Sequence, residues 1–268
     1  MRLPVLLLFV SFSAMAAWAA DSSQPIVVSA ASPYAGVAPD SLATIYGDSL
    51  STETASAGSL PWPTSLGDIS VVYVSNTGAP WQMAGLIFVS STQINLWIPP
   101  GVAPGPATVE FPFTDLPPGV GAAALRVVPL NIQKVAPALF SSNGTGTGPA
   151  AATAVSVAIP TTQQFPVQVV ECNAPAACAA VPIDVGIDRP VYLSLYGTGI
   201  RGASSMANVV VTIGTTKIQP IYSGPEGVIP GLDQVNVPLS LNLRGSGLVD
   251  VTVTVDGVAS NAVQIDIQ

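Results

Sequence analysis

Fifteen acidic side chains, seven basic ones and no histidine limit the reactions open to this 268-residue chain. Without imidazole, Ser-His-Asp and Cys-His nucleophile activation and His-ligated zinc are excluded. Glycoside hydrolysis needs only two carboxylates, about 5–10 Å apart. Glu53, Glu110, Glu171 and Glu226 are the available glutamates; nothing in their spacing pairs them, and they read as solvated surface acids. Asp184 and Asp188 flank Gly186 somewhat as in a calcium loop. The further oxygen donors and the closing Glu of a calcium site are missing. Ser-Lys chemistry would draw on Lys134 or Lys217, and neither has the apolar surroundings that lower an amine pKa. The chain therefore reads as non-enzymatic, with no catalytic residue, cofactor or metal.

Aromatic and sulfur side chains offer more. Beyond the N-terminal segment the Trp residues are Trp62, Trp81 and Trp97. Trp62 sits between Pro61 and Pro63, and Trp81 follows Pro80, so both belong to loops. Loop-borne indoles stack on sugar faces or anchor a protein partner, which makes Trp62 and Trp81 the candidate ligand-binding residues. Trp97 lies in the apolar run Ile94 to Ile98 and reads as core. Cys172 and Cys178 are separated by Asn-Ala-Pro-Ala-Ala. An oxidising compartment would join them into a local staple, whereas a redox pair would show C-x-x-C spacing and basic neighbours.

Charge and hydropathy set the compartment. Arg2 precedes an apolar stretch from Leu3 to Met15, followed by Ala16-Ala17-Trp18-Ala19-Ala20. This is the layout of a signal peptide spanning 1–20, with cleavage expected after Ala19 or Ala20. Loss of Arg2 moves the net charge from −8 to about −9, too acidic to line up along phosphates or anionic lipid. No second apolar segment long enough to span a bilayer as a helix occurs. The mature chain is expected in the periplasm, at the cell envelope or outside the cell, with an unknown protein or a glycan as partner. Neither nucleic-acid binding nor membrane insertion is expected.

The elements that would position these residues are strands. Val249, Val251, Val253 and Val255 alternate with polar residues, Asp256-Gly257 supplies a tight turn, and Val263, Ile265 and Ile267 alternate on the return. Short segments of the same kind recur between Gly- and Pro-rich turns, with 24 Gly and 26 Pro in the chain. Such a chain predicts β-sandwiches.

An internal repeat divides the chain. Ala43-Thr44-Ile45-Tyr46-Gly47 matches Leu193-Ser194-Leu195-Tyr196-Gly197, and Gln93-Ile94-Asn95 matches Gln234-Val235-Asn236. Two sandwiches are expected, at 21–132 and 133–268, the second carrying an inserted segment at 141–188. Gly47 and Gly197 are expected to let a strand end in a positive-φ turn. Gln93 with Asn95, and Gln234 with Asn236, share a strand face, from which their amides are expected to tie down a neighbouring loop.

Tyr46-Gly47, Pro63-Thr64-Ser65-Leu66-Gly67, Gln93-Ile94-Asn95, Pro137-Ala138-Leu139-Phe140, Tyr196-Gly197-Thr198-Gly199-Ile200-Arg201 and Gly231-Leu232-Asp233-Gln234-Val235-Asn236 occur in order along the chain. In this combination the sequence resembles a C-terminal domain family of exported acidobacterial proteins, itself similar to IPT/TIG immunoglobulin-like modules. The resemblance implies an all-β fold of two tandem immunoglobulin-like sandwiches after a cleaved signal peptide. It brings no catalytic residue. Such domains usually end longer chains, whereas here the pair directly follows the N-terminal apolar segment. The expected role is binding or structural; the alternative is a secreted carbohydrate-active protein, either a lectin-like binder or a carboxylate-based hydrolase.

Overall fold

The computed structural model describes residues 24–76, 78–112, 125–174 and 176–268. The expected signal segment and its cleavage site lie outside the described residues. Among the described residues the regular structure is strand, apart from two short 3₁₀ turns, and no helix is long and apolar enough to cross a membrane.

In the first half, a five-stranded sheet runs in the order Ile26–Ser29, Leu42–Tyr46, Gln93–Trp97, Gly85–Val89, Ala55–Ser56. A four-stranded sheet runs Gln82–Met83, Tyr73–Asn76, Gly105–Pro112, Leu125–Ile132. Alternation along the strands sends Ile45, Leu86, Ile94 and Leu96 from the first sheet and Val74, Val109, Phe111 and Val128 from the second into one shared core. The hydrophobic face of each sheet is thus buried against the other.

The second half repeats this order. Val191–Thr198 pairs with Asp233–Pro238, which pairs with Tyr222–Pro225. The opposing sheet runs Thr216–Ile218, Val209–Ile213, Gly247–Val255, Val263–Ile267. Its core runs from Val135 to Ile267, and the core of the first half from Val37 to Ile132, with no residue in common.

The repeat extends to register. Tyr46 faces Gln93 and Thr44 faces Asn95; Tyr196 faces Gln234 and Ser194 faces Asn236. Among the described residues the amides in these strands bond each other rather than a loop. Gln93 Nε2 donates to Asn95 Oδ1 at 2.7 Å, and Gln234 Nε2 donates to Asn236 Oδ1 at 2.7 Å. Thr44 completes the first pair through Oγ1, 2.9 Å from Asn95 Oδ1. The i and i+2 side chains on one strand face are close enough to bond each other along the strand.

The glycines after each Tyr also act differently from expectation, since neither Gly47 nor Gly197 has a positive φ. They are sites of close approach instead. A Cβ on Gly197 would lie 2.6 Å from the Ala138 carbonyl oxygen, and one on Gly47 would lie 3.1 Å from Pro25 and Leu50 side-chain atoms. Gly199, two residues on, does have a positive φ of 71°, with a Cβ position 2.2 Å from the Ala136 oxygen.

The segment 141–188 is more than an excursion. Val191–Thr198 is flanked on one side by Ala138–Leu139 near its end and by Ala152–Val157 over most of its length. In the first half one strand, Ile26–Ser29, occupies the corresponding side of Leu42–Tyr46. Part of the insertion thus returns to complete the sheet, and Pro182–Ile183 joins the opposite sheet in parallel with Val263–Ile267. The separate piece is the hairpin Val170–Ala174 with Ala177–Ala180, in which Cys172 faces Cys178 and the two form a disulfide. Such a bond belongs to an extracytoplasmic chain.

The loop that carries Trp62 is tied at its base. Asp68 Oδ2 accepts from the Thr52 amide at 2.7 Å and the Thr52 hydroxyl at 2.6 Å, and Ser51 donates to Oδ1. Burial works to raise the Asp68 pKa, but the Ser51 and Thr52 hydrogen bonds outweigh it and hold the carboxyl below its ordinary value. Because the folded value is depressed, this tie stabilises fully above the ordinary carboxylate pKa of about 4 and is lost as pH falls through the lower folded value. Asp68→Asn should therefore flatten part of the acid limb of stability measured by urea unfolding between about pH 5 and pH 2. An acid limb identical to the parent's would mean the tie contributes nothing.

Candidate functional site

The outer face of the four-stranded sheet concentrates side chains suited to recognition. Val72, Val74, Val109, Phe111 and Val128 point into the core, so Tyr73, Glu110 and Val127 point outward. Register places Met83, Tyr73, Glu110 and Val127 side by side on the four consecutive strands. Trp81 covers the start of this row. Its ring centroid is 5.3 Å from that of Tyr73 at a tilt of 35°. The Glu110 carboxylate accepts the Thr108 hydroxyl at 2.9 Å, and Ser75 lies opposite Thr108 on the next strand. Exposure remains 58% for Trp81, 56% for Met83 and 51% for Val127, an unusual density of open large apolar groups for one sheet face.

The second half provides an internal control. The corresponding outward row on its sheet is Lys217, Thr212 and Thr252, followed by Val210 opposite Thr254. The architecture is shared, but the aromatic pair and the glutamate belong to the first half.

Trp62 is placed elsewhere. It is half-buried, its Cβ packs against Gly85 of the five-stranded sheet, and its indole N–H donates to the Pro230 carbonyl at 3.3 Å. Trp62 and Trp81 thus do not form one loop cluster: Trp62 belongs to the seam between the halves. Trp97 belongs there as well. Expected in the core, it is only half-buried and donates through Nε1 to Asp40 Oδ1 at 2.6 Å. Its outward position on Gln93–Trp97 faces the second half, where a Cβ on Gly231 would lie 2.9 Å from its ring.

Arg201 holds the centre of the seam. Its Nε donates to Asp233 Oδ1 at 2.6 Å, Nη1 to Asp40 Oδ2 at 2.6 Å, and Nη2 to the Leu232 carbonyl at 2.7 Å. The other Asp233 oxygen accepts the Ile200 and Arg201 amides at 2.7 and 3.2 Å. Burial pushes the Asp233 carboxyl above its ordinary value, with Arg201 and the two amides opposing. Nearby, the Leu42 amide donates to Thr198 Oγ1, whose hydroxyl donates to the Gly231 carbonyl, each at 2.8 Å.

The remaining sequence candidates are dispersed. Glu171 lies on the disulfide hairpin, Glu53 abuts Gly67, and Glu226 accepts the Val228 and Ile229 amides at 2.9 and 3.0 Å. Glu110 alone of the four glutamates joins the aromatic face. Asp184 sits 3.9 Å from Arg244. Among the described residues no cluster of three or more His, Cys, Asp or Glu could hold a metal. A groove of about 810 Å³ runs beside Gln133, Lys134 and Val135, where the two halves join, and is lined also by Ser204, Asn208, Thr254 and Asp256. Its charged groups already serve each other: Lys134 Nζ is 3.3 Å from Asp256 Oδ2, and the Ser204 amide and hydroxyl donate to the same carboxylate.

Tyr73 was not singled out by the sequence reading, and Glu110 appeared there only as one of four surface acids. Their signal is period-two alternation against buried valines, visible only once the strands are assigned.

No family model and no curated protein matches the chain. Among solved structures, the chain is similar to SGBP-B of the Bacteroides ovatus mixed-linkage glucan utilization locus, determined in complex with a mixed-linkage heptasaccharide. Identity is 11% and the TM-score 0.32, with 93% of this chain and 46% of that chain covered. The chain thus spans less than half the length of that structure.

Proposed function

We propose that the protein is an exported, non-enzymatic pair of immunoglobulin-like sandwiches that binds a glycan through the outer face of its four-stranded sheet. The observation that carries this reading is the exposed Trp81 packed on the half-buried Tyr73 beside Glu110 and Thr108, on a face whose counterpart in the second half lacks aromatics. Sugar rings present C–H faces to aromatic rings and hydroxyl edges to carboxylates and hydroxyls, so recognition needs both kinds of group on one surface. Binding is favoured over hydrolysis because Glu110 alone of the four glutamates joins the aromatic face, and the carboxyl that burial raises, Asp233, is occupied by Arg201 and two amides.

Trp81→Ala should weaken binding to a soluble polysaccharide by about 2 kcal/mol, roughly 30-fold, in isothermal titration. With Trp81 mostly solvent-exposed, the melting temperature should move by only a few degrees. Trp62→Ala should show the opposite profile, lowering stability while leaving the affinity of the folded protein intact. A Trp81→Ala variant that binds as the parent does would remove this face as the site.

A further inference from the structure

We infer that this face takes the interior of a neutral, extended polysaccharide chain laid across the strands, rather than a chain end or an acidic polymer. The inference rests on the reading of the face as a glycan site and adds the class of glycan.

Direction comes from register. The row Met83, Tyr73, Glu110, Val127 runs perpendicular to the strands, one residue from each of four neighbours. Strands are spaced by about 4.8 Å, so the row covers roughly 14 Å from first strand to fourth. A pyranose ring is about as wide as one such spacing, and the row therefore holds about three rings in line. Stacking is supplied at one end by Trp81 over Tyr73, hydrogen bonding in the middle by Glu110 and Thr108, and a second apolar contact at the far end by Val127.

Openness selects the interior of a chain. Reading a terminus requires a concave site that closes round the last ring. Among the described residues both margins are open, with Trp81 and Met83 exposed on one side and Val127 on the other, so a chain crossing the row continues past it in both directions.

Charge selects neutrality. Glu110 is the only charged side chain in the row, and the whole protein carries −8. One Glu110 oxygen already accepts Thr108. The carboxylate keeps further acceptor sites for ligand hydroxyls, whereas a uronate or sulfate at the same position meets like charge.

The test uses the mature two-sandwich chain with three neutral polymers (a β-glucan, a mannan and a xylan), oligosaccharides of two to six units from whichever binds, the same oligosaccharides with reduced ends, and polygalacturonate. Affinity should climb with length and level off at three to four units, change less than twofold on end reduction, and be at least tenfold weaker for polygalacturonate. Glu110→Gln should narrow that discrimination. If end reduction abolishes binding, or polygalacturonate binds as tightly as the neutral polymer, while Trp81→Ala still weakens the interaction, the ligand class is wrong and the face stands. If Trp81→Ala leaves every interaction unchanged, or none of the three neutral polymers binds, the site itself is overturned and this inference with it.

Discussion

Asp233→Ala is expected to lower the unfolding free energy by about 3–5 kcal/mol, the range found when one partner of a buried ion pair is removed. Asp233 is 0% exposed, and its two oxygens take a guanidinium N–H and two backbone amides. Truncation leaves all three donors unmet and leaves Arg201, whose side chain is 13% exposed, with Asp40 as its remaining carboxylate. The loss reflects unpaired groups more than any large net gain from the pair itself, since desolvation offsets much of the Coulomb attraction. Asp233→Leu combined with Arg201→Met should therefore recover the part of the loss that comes from the unpaired guanidinium, while the part that comes from the Ile200 and Arg201 amides remains. Asp40 tolerates this because it is more exposed than its partners and retains the Trp97 N–H. Urea unfolding checks both variants through a shift in midpoint at constant slope. A single Asp233→Ala variant within 1 kcal/mol of the parent would show that the network does not hold the second half's loops together.

The seam explains where sequence reading stopped short. Trp62 and Pro230 are 168 residues apart, and Arg201 and Asp40 are 161 apart. Nothing local to Pro61-Trp62-Pro63 distinguishes an indole aimed at a ligand from one aimed at the other half of the same chain. Trp97 failed for a related reason: it lies in an apolar run, but the strand alternates, and its outward side is covered by the second half rather than by solvent. Short-range signals fared better. Asp256-Gly257 forms the expected tight turn, with φ of 48° and 85° as a type I′ hairpin requires. The valines around it pair Val255 with Val258 and Val251 with Val263. The Tyr-Gly and Gln-x-Asn repeats proved to be the same pair of neighbouring strands, because cross-strand register copies with the motif. Their chemistry was misjudged, since a glycine's close approach to a carbonyl and an amide pair's self-sufficiency depend on neighbours that a linear pattern does not name.

The candidate site divides in the same way. Trp81 stood out by its rarity and loop context, while its partners Tyr73 and Glu110 come from strands 37 residues apart in sequence, joined by a register that the sequence does not print. Aromatic and acidic residues are informative here because they sit outward on strands whose alternate positions are filled by buried Val and Phe.

The last expected result concerns how far the two halves depend on each other. Phe111→Ala should cost about 3–5 kcal/mol, because Phe111 is fully buried in the first core and truncation leaves a cavity that a two-sheet core closes poorly. The first core extends from Val37 to Ile132 and the second from Val135 to Ile267 without sharing a residue. Links across the seam combine hydrogen bonds, from Arg201 to Asp40, the Leu42 amide to Thr198 and the Trp62 N–H to Pro230, with the packing of Leu42 and Trp97 on Gly231. Two halves that share no core residue couple less tightly than they would through one continuous apolar core. In calorimetry the Phe111→Ala variant should therefore show two transitions. The one from the first half should fall by more than about 10 °C, and the one from the second half should move by only a few degrees. Adding Asp40→Asn, which weakens the Arg201 link without touching either core, should separate them further. If both halves instead shift together as a single transition in each variant, the break between Ile132 and Val135 is geometric only, and the seam, not the sandwich, sets the cooperative unit.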